Sequence, residues 1–171
     1  MNTHIALLRA VNVGGTGKLP MVELRALCEK LGFKAVRTYI QSGNVVFSSA
    51  LDAAKAKAKL EQALATKLGK PCRVIIRTGK ELANVVAANP FPEAEPNRLI
   101  VVFLDDAPSK GPIKDWRIAG SERLALLGRE LFIHFPDGQG TSKLKVPFAD
   151  LGTGRNLNTV RTLLTMANEV T

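Results

Sequence analysis

Two stretches of this chain combine glycines with basic and amide side chains, and that combination suits anion binding. The first is RAVNVGGTGKLP, residues 9–20, where Arg9, Asn12 and Lys18 flank a glycine-rich segment between an apolar run and a helix start. Glycines in that setting expose backbone N–H groups beside the positive end of a helix dipole. The nucleotide motifs themselves are absent. A Walker loop needs glycine where Asn12 stands and a hydroxyl where Leu19 stands, and the dinucleotide fingerprint needs glycine at Pro20. The plain structural reading is a strand-to-helix loop carrying solvated charges.

The second stretch is GTGRNLNTV near the end of the chain. A side-chain oxygen of Thr153 or Asn156 can cap the last helix. Arg155 and Asn158 are then expected in its first turn, beside N–H groups suited to an anion. Ser142 and Lys143 precede another helical start and offer a similar setting.

Other chemistry has less support. His4 and His134 are the only histidines, with no HxxxH or HExxH spacing and no G-x-S-x-G elbow. Cys28 and Cys72 form no CxxC pair, and both fall in apolar patterns, so they read as small buried hydrophobes. No metal site is expected from these ligands. Asp105 and Asp106 close a strand, where paired carboxylates could bind magnesium, but the following Ala107-Pro108 suits a solvated turn. The sequence names no cofactor and fixes no oligomeric state.

Charge separates the two halves of the chain. Residues 1–78 hold 13 Lys+Arg and 4 Asp+Glu, whereas residues 79–171 hold 11 of each, so the whole net charge of +9 sits in the first half. Such asymmetry fits an anionic partner or a solvated basic face. Hydrophobic residues make 46% and charged residues 23%, as in ordinary globular proteins. The longest strong apolar run, Leu99 to Leu104, is too short to cross a bilayer. The N-terminal residues lack the pattern of a signal peptide, so a cytoplasmic location without membrane association is expected.

These residues need elements to position them. Strands are expected over 4–9, 34–40, 44–49 and 72–77, with helices over 21–31 and 52–68. Pro20 opens the first helix, Gly32 ends it, and Gly69 with Pro71 ends the second. That β-α-β-β-α-β order is the ferredoxin-like, or split βαβ, unit, with both helices on one face of an antiparallel sheet. Ser42-Gly43 reads as a two-residue hairpin turn, which sets Tyr39 against Val46 and Arg37 against Ser48. An RNA-recognition sheet uses such a face for base stacking, although only 5% of this chain is aromatic.

Residues 79–97 read as a helix over 80–88 and a linker. Residues 98–171 read as a second α+β half: strand 98–104, a short helical or irregular piece 112–118, a hairpin of 125–127 and 129–135 around Gly128, then helices over 145–151 and 156–170. This β-α-β-β-α order is that of the first half with its final strand missing or replaced by helix. The expected class is α+β, with duplicated ferredoxin-like halves.

Several segments together resemble the DUF1697 family. They are Arg9 to Gly15, Leu19-Pro20-Met21, Gly32-Phe33, the run VRTYIQSGNVVF from Val36 to Phe47, Pro136-Asp137-Gly138, Ser142-Lys143-Leu144, and Leu151 to Val160. Leu157 stands where the family usually carries tryptophan. The resemblance implies a duplicated α+β architecture and no activity. Its polar signature falls on Arg9, Asn12, Lys18, Arg37, Ser42, Asn44, Ser142, Lys143, Arg155, Asn156 and Asn158.

The function expected from these readings is binding of a phosphate-bearing ligand, either a nucleotide or a nucleic acid backbone. The alternatives are an enzyme acting on a small anionic substrate between the halves, and an assembly protein whose polar signature only caps helices and hairpins.

Overall fold

The protein is mixed α+β, with two four-stranded antiparallel sheets and four helices in the described residues. The structure, a computed structural model, describes residues 1–9, 18–40, 43–108, 120–138 and 152–170. The chain divides into two compact units: Met1–Ala83 with Thr162–Thr171, and Asn84–Arg161.

The first sheet is built from β1 (Asn2–Leu8), β2 (Lys34–Tyr39), β3 (Asn44–Ser49) and β4 (Val74–Thr78), in the order β2-β3-β1-β4. Alternation decides which side chains meet the helices. Ala6 and Leu8, Val45 and Phe47, and Val74 and Ile76 form one core with Leu24 and Cys28 of α1 (Met21–Lys30) and Ala56, Leu60 and Leu64 of α2 (Ala53–Leu68). The Phe33 and Phe47 rings stack in this core at 4.1 Å. Each fully buried Leu or Phe contributes about 1.5–3 kcal/mol. On the other face of the sheet, Ile5, Leu7, Val46 and Ile75 are buried as well, together with the charged Arg77.

Local chemistry sets the helix ends. Pro20 stands at the N-cap of α1, where its carbonyl accepts from Glu23 and Leu24 N–H. Asp52 caps α2 by accepting from Lys55 N–H at 2.8 Å. Gly69 then ends α2 at φ 73°.

The second sheet holds β5 (Leu99–Phe103), β6 (Arg123–Leu127), β7 (Glu130–His134) and β8 (Thr153–Asn156), in the order β6-β7-β5-β8. The expectation that this half lacks a last strand is therefore wrong. Residues 153–156 pair antiparallel with β5, from Thr153 opposite Phe103 to Asn156 opposite Ile100. Four residues reading TGRN show no apolar alternation, which hid the strand. Gly152 explains the spacing ahead of it: a Cβ there would lie 2.5 Å from the Phe103 carbonyl oxygen. Only glycine lets the chain enter β8 so close to its neighbour.

Helices α3 (Gly79–Ala87) and α4 (Leu157–Val170) follow β4 and β8 with no intervening loop. Thr78 and Glu81 form a reciprocal cap, with Thr78 N–H donating to Glu81 Oε1 at 2.9 Å and Glu81 N–H to Thr78 Oγ1 at 3.1 Å. The division between the two units falls within α3 and within α4, rather than in the linker before residue 98. The expected helical pieces at 112–118 and 145–151 lie outside the described residues.

Candidate functional site

The end of the first sheet where β1 finishes gathers basic residues. Leu8 pairs with Val74, and beyond that pair Arg9 N–H donates to the Arg73 carbonyl at 2.9 Å. Continuing the register by one residue sets Arg9 directly opposite Arg73, on the sheet face away from α1 and α2. Like charges facing each other across two strands destabilise a sheet. Arg73 and Lys18 are exposed, and Arg9 is half-buried.

Lys70 belongs to the same end. Burial and then Glu61 raise the Cys72 thiol above its ordinary value, while Lys70 pulls it back. The Cys72 Sγ in turn lies 3.9 Å from the Arg9 carbonyl oxygen. Sequence reading missed Arg73 and Lys70, because neither sits in a glycine-rich turn. The signal that would have found them is the antiparallel partnership of β1 and β4.

The hairpin of β2 and β3 corrects another expectation. Tyr39 pairs with Asn44 and Arg37 with Val46, so residues 40–43 form the connection instead of a two-residue turn. The Asn44 side-chain amide donates to the Tyr39 carbonyl at 2.9 Å and fixes that pairing. Ile40 then enters the left-handed region at φ 46°, and Gly43 does so at φ 86°. The register moves by two residues, which preserves faces. Arg37 and Tyr39 therefore do share a face, as expected. Arg37 Nη1 lies 3.5 Å from Glu169 Oε1 of α4. Asn44 is fully buried.

The closing motif is positioned by β8 more than by α4. Arg155 is a strand residue opposite Val101, not a member of the helix's first turn. Its guanidinium is buried, and Nη1 donates to Thr153 Oγ1 at 2.6 Å and to the Gly154 carbonyl at 2.9 Å. Burial lowers its pKa to about 10, which leaves it charged at neutral pH. Asn156 caps α4 by accepting from Thr159 N–H at 2.9 Å, so Asn156 fills the cap left open between it and Thr153. Asn158 is exposed, and Leu157 is buried at the start of the helix. Asn12, Ser42, Ser142 and Lys143 lie outside the described residues.

Arg77 is a third residue missed by sequence reading. It lies opposite Ile5 on β4, is 1% exposed, and its Nη1 donates to the Ile76 carbonyl at 3.0 Å.

The histidines and cysteines are engaged structurally. His4 is buried beside Phe47, and its Nε2 lies 3.0 Å from the Leu51 carbonyl, so that nitrogen carries the proton. His134 Nδ1 accepts from Arg123, whose Nη2 lies 3.0 Å away. Arg123 also bonds Glu93 and stacks its guanidinium 4.5 Å from the centre of the Phe91 ring. The hydrogen bond from Arg123 is the main cause that lowers the Glu93 pKa. Burial, with Glu29 nearby, raises the Cys28 thiol to about 12. Among the described residues, no group of three His, Cys, Asp or Glu side chains could hold a metal ion. No described helix is long and apolar enough to cross a membrane.

Comparison with known proteins gives a family and a fold. The conserved bacterial protein SP0830 from Streptococcus pneumoniae has a similar structure, with a TM-score of 0.79 and 24% sequence identity. The match covers 97% of this chain and 98% of that one. No curated protein matches the chain. The family model described as "Protein of unknown function (DUF1697)" matches residues 1–132, and the chain belongs to that family.

Proposed function

We propose that the protein is a cytoplasmic module that binds a phosphate-bearing ligand, a nucleotide or a nucleic acid backbone, at the basic end of its first sheet. The observation that carries this reading is the placement of Arg9 opposite Arg73, with Lys70 near them. Like charges directly opposite each other across two strands cost stability, a bound anion between them would offset that cost, and guanidinium forks match phosphate oxygens in pairs. The net charge of +9 on residues 1–78 favours the same partner from a distance. Asn12 and Lys18, in the segment leaving β1, would add donors.

The same reading treats the chain as two ferredoxin-like halves. Its support is the shared strand order, β2-β3-β1-β4 and β6-β7-β5-β8. In the first half, α1 and α2 cover one face, as that unit requires.

Fluorescence anisotropy tests the proposal, with a labelled oligo(dT) and, separately, a labelled nucleoside triphosphate. Binding to one of the probes at low salt, lost in Arg9→Ala/Arg73→Ala, is the expected result. For the oligonucleotide, log affinity should fall with log salt by about 0.7 per phosphate contact. No binding of either probe at low salt, or binding unchanged in the double variant, would overturn it.

A further inference from the structure

We propose that the solvent face of α2 is a docking surface for the phosphate backbone of a nucleic acid. This inference takes its ligand chemistry from the phosphate reading of the first unit and commits it to a polymer.

Helix α2 buries Ala56, Leu60 and Leu64 on one side. On the other side Lys55, Lys59, Gln62 and Thr66 are all exposed and recur at i, i+4, i+7 and i+11. That spacing makes one straight row, about 17 Å long at 1.5 Å per residue. Lys70 follows just past the helix end and leads to the sheet end that carries Arg9 and Arg73.

The ion pairs of α2 leave this row alone. Lys57 bonds Glu61, and Lys67 bonds Glu23 of α1. Lys55, Lys59 and Lys70 have no ion-pair partner among the described residues. Lys55 and Lys59 are like charges at i, i+4, an arrangement that costs an isolated helix about 0.2–0.5 kcal/mol. Lys55 and Lys59 on one helix face, followed by Gln62, by Thr66 (whose Oγ1 donates to the Gln62 carbonyl at 3.2 Å) and by Lys70 past the helix end, match a polyanion that spans several turns.

A lipid surface fits less well. A helix that lies on a membrane needs large apolar side chains beside its lysines. The exposed large hydrophobics among the described residues are Met1, Val22, Ile40 and Leu127, and none is on α2.

The test compares Lys55→Gln/Lys59→Gln with wild type and with Arg9→Ala/Arg73→Ala, after circular dichroism confirms that each variant folds. The probes are oligo(dT), duplex DNA, a nucleoside triphosphate and phosphatidylserine vesicles. The lysine variant should weaken oligonucleotide or duplex binding several-fold and reduce the salt slope by about 1.4 for single strands, two contacts at 0.7 each. Its affinity for the triphosphate should stay unchanged. Unchanged nucleic acid binding in the lysine variant overturns this inference, and leaves the Arg9–Arg73 reading standing if the arginine variant is impaired. Lysine-dependent binding with no arginine dependence supports the α2 surface and sinks the arginine site. Preference for vesicles over nucleic acid also overturns the inference.

Discussion

The two sheets share a framework and differ in what their ends carry. In the first, β4 sets Arg77 opposite Ile5; in the second, β8 sets Arg155 opposite Val101. Both arginines are buried, both give Nη1 to the carbonyl of the preceding residue, and both are followed at once by a helix cap. The matching partners of Ile5 and Val101 on the other side are Val46 and Phe132. Beyond this frame the likeness ends. The first sheet continues past Leu8 into Arg9 opposite Arg73, whereas the second reaches β8 through Gly152, held flush against Phe103. An arginine in this protein is therefore read by its burial: Arg77 and Arg155 belong to the frame, and Arg9 and Arg73 to the solvent edge.

The largest expected effect breaks the frame of the second sheet. In Gly152→Ala the new methyl group meets a backbone oxygen at 2.5 Å, and β5 cannot yield as a side chain would. Urea unfolding should show a loss of about 3 kcal/mol, the upper end for an overpacked site.

Arg155→Met goes the other way. A base whose folded pKa lies below its unfolded value destabilises the fold at neutral pH, and the cost fades as pH rises above about 10. Removing that charge while keeping the side chain's bulk should leave stability unchanged or raise it by about 1–3 kcal/mol at pH 7, despite the loss of the bonds to Thr153 and Gly154 and of the residue's other contacts. The gain should shrink as the comparison is repeated at alkaline pH. A loss of several kcal/mol at pH 7 would show that the guanidinium holds the sheet together.

The caps sharpen the comparison. Thr78→Ala breaks one side of a reciprocal cap, and Asn156→Ala removes a single bond, so each should cost about 1 kcal/mol in thermal unfolding, with Thr78→Ala the larger. Arg37→Ala should change stability least. Its contact with Glu169 is an exposed pair at 3.5 Å, worth less than about 1 kcal/mol.

Much of the fold was legible in the sequence because its signals are local. Apolar alternation marked β1, β3 and β4, and the stripe of Leu60 and Leu64 marked α2. Asp52, Gly32 and Gly69 marked helix ends. What stayed hidden depends on partners distant in the chain. Strand β8 is recognisable only beside β5, and the hairpin register depends on Asn44 reaching back to Tyr39. The candidate site divides in the same way. Arg9 and Lys18 stood out beside glycines, while Arg73 becomes relevant only when β4 is laid against β1. Arg155 was visible as a basic residue in a turn-like motif, but its burial was not.

The most direct test is the unfolding free energy of wild type and Arg73→Ala at low ionic strength, each titrated with inorganic pyrophosphate. If the two facing arginines repel each other and bind a phosphate together, removing one should raise stability by a few tenths to about 1 kcal/mol without the anion. Pyrophosphate should then stabilise wild type, through binding to the folded state, and have little effect on the variant. Arg73→Ala less stable than wild type, and stabilised by pyrophosphate to the same degree, would contradict the account.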